Sequence, residues 1–123
     1  MIEAKILIVD DSPAQLYSLK RIVEKGGMET VTAESGEMAL QLASSELPSV
    51  ILMDIVMPGM SGFQATRKLT RDEATRDIPV IFVTSKSEES DKVWGMRQGA
   101  SDYITKPVNP NHLLSAIKDV MAA

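Results

Sequence analysis

The chain has 123 residues, of which 44% are hydrophobic and 24% charged, as is typical of one soluble globular domain. Its net charge of −4 argues against generic nucleic-acid binding, and the absence of cysteine excludes disulfides, thiolate metal sites and cysteine nucleophiles. The apolar runs are too short to span a bilayer and the N-terminus has no signal-peptide pattern. We therefore expect one cytoplasmic domain over residues 1–123, without membrane insertion.

Short apolar runs alternate along the chain with longer segments of helical period. In chain order, strands are predicted at residues 6–9, 29–33, 50–53, 80–83 and 101–105. The first, third and fourth runs are almost continuously apolar, which is typical of parallel strands covered on both faces. The second and fifth are more polar, so we expect them nearer the edges of the sheet.

The segments between the strands carry signals for helix starts and ends. Ser12 and Gln15 have the spacing of a capping box, and Gly26-Gly27 ends the first helix. Ser35 opens the second helix, in which Met38 is expected to face the core. These signals predict a helix after each of the first two strands.

The later helices have similar starts. Ser61 and Gln64 repeat the capping-box spacing, Ser87 is expected to open the fourth helix, and Asn109 precedes a proline at the fifth. The resulting order is β-α repeated five times. This order predicts an α/β fold with right-handed crossovers and a doubly wound parallel sheet, whose ligand site lies at the carboxyl ends of the strands.

Polar or charged residues follow four of the five strands at that end. The first strand runs into Asp10-Asp11, the third into Asp54, the fourth into Thr84-Ser85 and the fifth into Lys106. Because the carboxyl ends of parallel strands share one edge, these side chains are predicted to meet in a single cleft.

Three carboxylates in one cleft repel each other and require a positive charge to compensate. Oxygen ligands without cysteine or clustered histidine favour a hard cation, hence Mg²⁺. We expect Asp10 or Asp11, Asp54 and the backbone carbonyl near Val56 to hold it, with Lys106 supplying further charge. The remaining coordination positions would be open to phosphate oxygens.

This combination is suited to phosphoryl transfer onto a carboxylate. Asp54 would attack phosphorus to form an acyl phosphate, while the metal ion and Lys106 stabilise charge on the phosphoryl oxygens. Thr84 could then donate a hydrogen bond to the new phosphoryl group, although Ser85 leaves open which hydroxyl contributes more. These contacts would convert the chemistry into a conformational signal.

The segments LIVDDS (7–12), MDIVMPGMSG (53–62), VTS (83–85) and YITKP (103–107) resemble the CheY-like receiver domain of two-component response regulators. The resemblance covers essentially the whole chain. It implies a flavodoxin-like (βα)5 fold with strand order 2-1-3-4-5, and phosphoryl transfer to Asp54 from a histidine kinase or histidine phosphotransfer domain. It also favours Thr84 over Ser85, implies a cis Lys106–Pro107 bond, and makes Tyr103 the switch aromatic.

Within that family, the run KVWGMRQGA (92–100) makes the chain most similar to stand-alone regulators of type IV pilus (twitching) motility, the PilH type. The resemblance implies that a downstream protein reads the face formed by the fourth helix, fifth strand and fifth helix, around Lys92, Met96 and Tyr103. Trp94 is expected to be partly exposed on this face, since Val93 has the better helical phase for the core.

Other functions remain open from the sequence. A magnesium-dependent aspartyl-phosphate phosphohydrolase of the haloacid-dehalogenase type would want a second acid two residues after Asp54, where this chain has Val56. A phosphate sink or phosphorelay intermediate would use the same residues as a switch, and a receiver cut from a longer regulator would look similar. The tail ends with the last helix and has no linker, which favours a complete single-domain protein. We expect it to be a monomer and a phospho-accepting switch rather than an enzyme.

Overall fold

Five parallel strands alternate with five helices along residues 4–123, the part of the chain that this computed structural model describes. Residues 1–3, which belong to the N-terminal segment that lacks a signal-peptide pattern, lie outside the described part of the chain. The strands are β1 (Lys5–Val9), β2 (Glu29–Ala33), β3 (Val50–Met53), β4 (Val80–Thr84) and β5 (Asp102–Thr105). The helices are α1 (Pro13–Lys25), α2 (Gly36–Glu46), α3 (Gly62–Arg71), α4 (Glu89–Arg97) and α5 (Pro110–Ala122). None of these helices is long and apolar enough to cross a membrane.

The strand order is β2-β1-β3-β4-β5, which confirms the predicted flavodoxin-like fold and places the two more polar strands at the edges. The register aligns Val9 of β1 with Met53 of β3. The Asp54 amide then donates to the Val9 carbonyl at 2.9 Å, so the ladder continues past the last paired residues. Asp10 and Asp54 are therefore held at the same edge of the sheet by backbone hydrogen bonds.

Alternate residues of the central strands enter two separate cores. Ile6 and Ile8 of β1 pack on the face covered by α1 and α5, where Leu113 is fully buried. Leu7 and Val9 pack on the opposite face, against α2 and α3. Each such side chain contributes about 1.5–3 kcal/mol on burial, and burial on both faces explains why the strand sequences are continuously apolar.

The cap of α1 departs from the expected capping box. The Gln15 amide donates to the Ser12 side chain at 3.4 Å, but the Ser12 amide donates to Asp10 Oδ1 at 3.0 Å instead of to the Gln15 side chain. A carboxylate oxygen is a stronger hydrogen-bond acceptor than a side-chain amide oxygen, which explains the preference for Asp10. At α3, Ser61 and Gln64 form the complete capping box, as predicted.

The expectation that Met38 faces the core is wrong, since this side chain is 42% exposed. The buried positions of α2 are Gly36, Ala39 and Ala43. Small residues let the helix lie close to the sheet and to Met60, whose side chain fills the space beside Gly36. The short distance between α2 and the sheet thus determines which face of α2 is buried, and it leaves the larger Met38 side chain outside.

Two expectations for α4 are also wrong. The helix begins at Glu89 after Glu88, without a side-chain cap, so Ser87 does not open it. Val93 is exposed, and the one buried residue of α4 is Gly95, where an added Cβ would lie 3.1 Å from the Phe82 ring. The helix approaches the sheet through a glycine, which leaves its larger apolar side chains outside.

Candidate functional site

Three carboxylates meet at the carboxyl edge of β1 and β3, as the sequence predicts. Single oxygens of Asp10, Asp11 and Asp54 all lie within 4.8 Å of one another. Asp10 is 1% and Asp54 8% exposed, whereas Asp11 faces solvent. An oxygen-only donor set of this charge and spacing could hold a hard divalent cation, and its chemistry fits Mg²⁺.

One lysine is shared between the two buried acids. Lys106 Nζ lies 2.8 Å from Asp10 Oδ2 and 3.7 Å from Asp54 Oδ2. The lysine is positioned because its own amide donates to the Thr84 carbonyl at 2.8 Å, which extends the pairing of β4 and β5. A single ammonium cannot neutralise both carboxylates, so the cleft keeps an excess of negative charge.

That excess acts on Asp54. Burial, followed by the neighbouring charge of Asp10, raises the pKa of Asp54 from its ordinary value of 3.8. The Lys106 ammonium, the Ile55 amide and the Thr84 hydroxyl act in the opposite direction without reversing the shift. Asp54 Oδ1 accepts from the Ile55 amide at 2.8 Å, which orients the carboxylate and leaves Oδ2 towards Lys106.

We predict that Asp54 makes the metal-free protein less stable as pH rises. The raised pKa means that the folded state holds this proton more tightly than the unfolded chain, so stability is lost from about pH 3.8 upwards through the folded pKa. The wild type should therefore lose stability relative to Asp54→Asn as pH rises. The unfolding free energy of Asp54→Asn minus that of the wild type should grow from pH 4 to pH 7 in urea titrations with a chelator. A difference that shrinks over this range would contradict the prediction.

The two adjacent hydroxyls at the end of β4 have different environments. Thr84 is fully buried, its Oγ1 accepts from the Lys86 amide at 3.4 Å, and its hydroxyl lowers the pKa of Asp54. Ser85 is exposed. Thr84 is therefore the hydroxyl that lies with the carboxylates.

Tyr103 connects β5 to the loop that follows Thr84. Its hydroxyl donates to the Lys86 carbonyl at 2.7 Å, and its ring packs edge-on against Phe82 with centroids 5.9 Å apart. Burial, with the charges of Asp91 and Asp54, raises the pKa of Tyr103 to about 12, so the hydroxyl stays protonated as a donor at neutral pH. The Lys106–Pro107 bond is cis, as the resemblance implied.

The remaining predicted residues lie on the outer surface. The Val56 side chain is exposed, beyond the cleft, and only its backbone carbonyl was expected to take part. Trp94 is 46% exposed, as predicted, and Met96 is also exposed. With Val93 they give α4 an apolar outer surface. Residues 89–97 have no apolar stripe at helical spacing, so the sequence indicates no face of α4 that would bury these side chains.

Sequence reasoning missed the contribution of Gly62 to the site. Its amide donates to the Ile55 carbonyl at 2.8 Å, and a Cβ at this position would overlap the Asp54 carbonyl oxygen. The first turn of α3 thus presses directly on the backbone that carries Asp54. The signal available in the sequence was a glycine at the first position of a well-capped helix.

We predict that Gly62→Ala destabilises the protein by about 3 kcal/mol, because the Cβ meets backbone that cannot move without displacing Asp54. Gly36→Ala is the matched control, since its Cβ would meet the Met60 side chain at 3.0 Å without overlapping backbone, and it should cost about 1 kcal/mol, clearly less than Gly62→Ala. Urea unfolding of both variants measures the difference. Equal losses would show that the contact with Asp54 is unimportant.

Comparisons with known proteins agree with the resemblance that the sequence motifs indicate. The family model described as response regulator receiver domain matches residues 6–118. Protein PilH of Pseudomonas aeruginosa is 57% identical over 97% of this chain and 98% of its own length. The chemotaxis protein CheY4 of Vibrio cholerae superposes with a TM-score of 0.91 at 30% identity, over 97% of this chain and 99% of that one.

A further structural match is the receiver domain of sensor histidine kinase PA1611 from P. aeruginosa, which has a magnesium ion coordinated in its active-site cleft. It superposes with a TM-score of 0.92 over 99% of this chain and all of that one, at 24% identity. At this identity the match supports the fold alone.

Proposed function

This chain belongs to the family of response regulator receiver domains of two-component signalling, and we propose that Asp54 is the residue that accepts the phosphoryl group. The observation that carries the proposal is the position of Asp54, an oriented and largely buried carboxylate between Lys106 and two further acids. The Lys106 ammonium and the Ile55 amide act to lower the pKa of Asp54 and so favour its carboxylate form, which is the form that attacks as a nucleophile.

In the proposed reaction, Asp54 Oδ2 forms a bond to phosphorus as the P–N bond of a phosphohistidine breaks. The electron pair of that bond leaves with the imidazole of the kinase or phosphotransfer domain, and the product is an acyl phosphate on Asp54. Lys106, now 3.7 Å from Oδ2, is suited to pair with the phosphoryl oxygens. The chain assists its own phosphorylation and dephosphorylation and acts on no other substrate.

The acidic cluster supports Mg²⁺ as the cofactor. Asp10, Asp11 and Asp54, with the backbone carbonyl of Val56, would hold the ion. Bound Mg²⁺ supplies positive charge for the phosphoryl oxygens. Asp10 also accepts from Lys106 and from the Ser12 amide, so it orients the lysine and the start of α1 as well.

In this proposal, the phosphoryl group is detected by the Thr84 hydroxyl and the Lys106 ammonium beside Asp54. Thr84 would turn its hydroxyl towards the new oxygens, and Lys106 would exchange part of its contact with Asp10 for them. Movement at Thr84 would pass through the loop whose Lys86 carbonyl accepts from Tyr103. The outcome is a change in the face of α4, β5 and α5, where Trp94 and Met96 are exposed.

The biological setting follows from the relatives. Likeness to PilH over nearly the full length supports a single receiver domain over residues 1–123 that regulates type IV pilus motility or chemotaxis-like behaviour. Its partners would be a histidine kinase or histidine phosphotransfer domain and a downstream protein. We propose that it acts in the cytoplasm as a monomer.

The test is Mg²⁺-dependent phosphorylation without a kinase. The protein is incubated with acetyl phosphate and either MgCl₂ or a chelator, and its intact mass is followed over time, with peptide mapping of the modified residue. We expect one phosphoryl adduct, on Asp54, and only with Mg²⁺. An adduct on another residue, equal labelling in chelator, or sustained phosphate release from many small phosphate esters would overturn the proposal.

A further inference from the structure

A second concave surface lies along α3, outside the carboxylate cleft. This groove of about 500 Å³ runs between α3, the start of α2 and the loop before α3. We call it the α3 groove and define it by the residues Glu37, Gly59, Met60, Arg67, Lys68 and Arg71.

The α3 groove is basic in an acidic protein. The chain carries a net charge of −4, yet three cationic side chains of the groove, Arg67, Lys68 and Arg71, face one acid, Glu37. Within residues 4–123, none of the three has a carboxylate oxygen within 4.0 Å. Unpaired cations gathered in a concave surface concentrate the local field and attract negatively charged groups.

Arg67 is held in place by a contact that leaves its binding groups free. Its Nε donates to Gln98 Oε1 at 2.8 Å, and Gln98 is only 7% exposed. The Gln98 amide is itself fixed, because Nε2 donates to the Trp94 carbonyl at 3.1 Å. Across the described chain, the two Nη groups of Arg67 donate to no protein acceptor. A guanidinium oriented in advance binds a carboxylate at a lower entropic cost than a freely rotating one.

We propose that the α3 groove docks an acidic segment of a protein partner. Arg67 and Arg71 are four residues apart on one helix, so their Cβ atoms are about 6 Å apart, which suits two carboxylates one helical turn apart. Met60 and the aliphatic stems of the basic side chains offer an apolar contact between the charges. None of the described residues that line the groove is aromatic, so a base has no ring on which to stack, which favours an acidic polypeptide over a nucleotide.

The site would be distinct from both surfaces of the proposed switch. It uses the exposed side of α3, whereas the phosphoryl group lies at Asp54 and the output surface lies on α4, β5 and α5. The hydrogen bond from Arg67 to Gln98 nevertheless joins the groove to the end of α4. Because the groove and the output surface use different residues, a partner could remain attached through α3 while the output surface changes.

The test is an NMR titration of the unphosphorylated ¹⁵N-labelled protein with a synthetic helical peptide that carries glutamates at i and i+4. We expect amide shift changes concentrated in residues 59–71. The double variant Lys68→Glu, Arg71→Glu should weaken binding by about tenfold or more. Lys20→Glu, Lys118→Glu is the matched control with the same change of net charge, and it should change the affinity by less than about twofold.

Two outcomes would overturn the proposal. Equal weakening in both double variants would mean that the peptide senses net charge alone, and shift changes outside the α3 groove would place it elsewhere. A titration with ATP at matched ionic strength is the third arm, and tighter binding of ATP than of the peptide at the same amides would make the groove a phosphate site.

The orientation of Arg67 has its own test. Gln98→Met keeps every cation but removes the acceptor for Nε, so the peptide should bind about threefold more weakly with the same residues perturbed. Thermal unfolding checks that the fold is retained. Unchanged affinity in a folded Gln98→Met protein would overturn the assignment of Gln98 as the positioning residue.

Discussion

Asp54→Asn is expected to abolish phosphoryl uptake from acetyl phosphate, with a loss of at least about 1000-fold. A neutral amide is a poor nucleophile, and the substitution also removes a carboxylate from the acidic cluster. The fold should survive because the Asn side chain is isosteric and its oxygen can still accept from the Ile55 amide. Intact mass measured over time with MgCl₂ gives the rate.

The matched control is Asp102→Asn. Asp102 lies at the start of β5, at the other end of the sheet, and its Oδ1 likewise accepts from the following amide, that of Tyr103, at 2.8 Å. This variant loses one carboxylate in the same local geometry, so its labelling rate should equal that of the wild type. Normal labelling of Asp54→Asn, or an equal loss in Asp102→Asn, would remove Asp54 from the proposed role.

Lys106→Met is expected to lower both stability and phosphorylation. Asp10 is buried and pairs with Lys106 at 2.8 Å, so removal of the ammonium leaves a buried charge without its partner, at a cost of about 3 kcal/mol at neutral pH. The phosphoryl oxygens also lose a cation near Asp54, which should slow labelling by about 100-fold. Urea unfolding and the labelling rate measure the two effects separately.

Lys5→Met provides the comparison for an exposed ion pair. Lys5 Nζ lies 3.1 Å from Glu46 Oε1, but both side chains are partly exposed to solvent. Screening by water should limit the loss to less than about 1 kcal/mol, with no change in labelling. If Lys106→Met cost no more stability than Lys5→Met, the shared lysine would not be compensating the buried acids.

Local signals were sufficient for most of the fold. The strands at 29–33 and 50–53 have the predicted bounds, because a short run of β-branched or apolar residues between turn signals favours a strand. Ser61 and Asn109 cap their helices as predicted, since a cap depends on residues only three positions away. The alternation of the elements then led to the parallel sheet and its carboxyl edge.

Predictions failed where a helix face is chosen by its neighbours. Met38 and Val93 are exposed because α2 and α4 approach the sheet through small residues, and the required distance depends on side chains of other elements. For α4 the neighbours are the rings of Phe82 and Tyr103, which would lie 3.1 and 3.2 Å from a Cβ at Gly95 and so favour a glycine there. Such distances are absent from the periodicity of a single segment.

Local pattern was enough to predict the order of elements and the residues that follow each strand, and hence that Asp10, Asp54 and Lys106 meet at one edge. Their pairing depends on tertiary packing, which brings Lys106 closer to Asp10 than to Asp54. The same packing joins Arg67 to Gln98, 31 residues apart in sequence, and so orients the basic groove. Backbone pattern is a local property, whereas the distance between two charged side chains depends on the packing of every element between them.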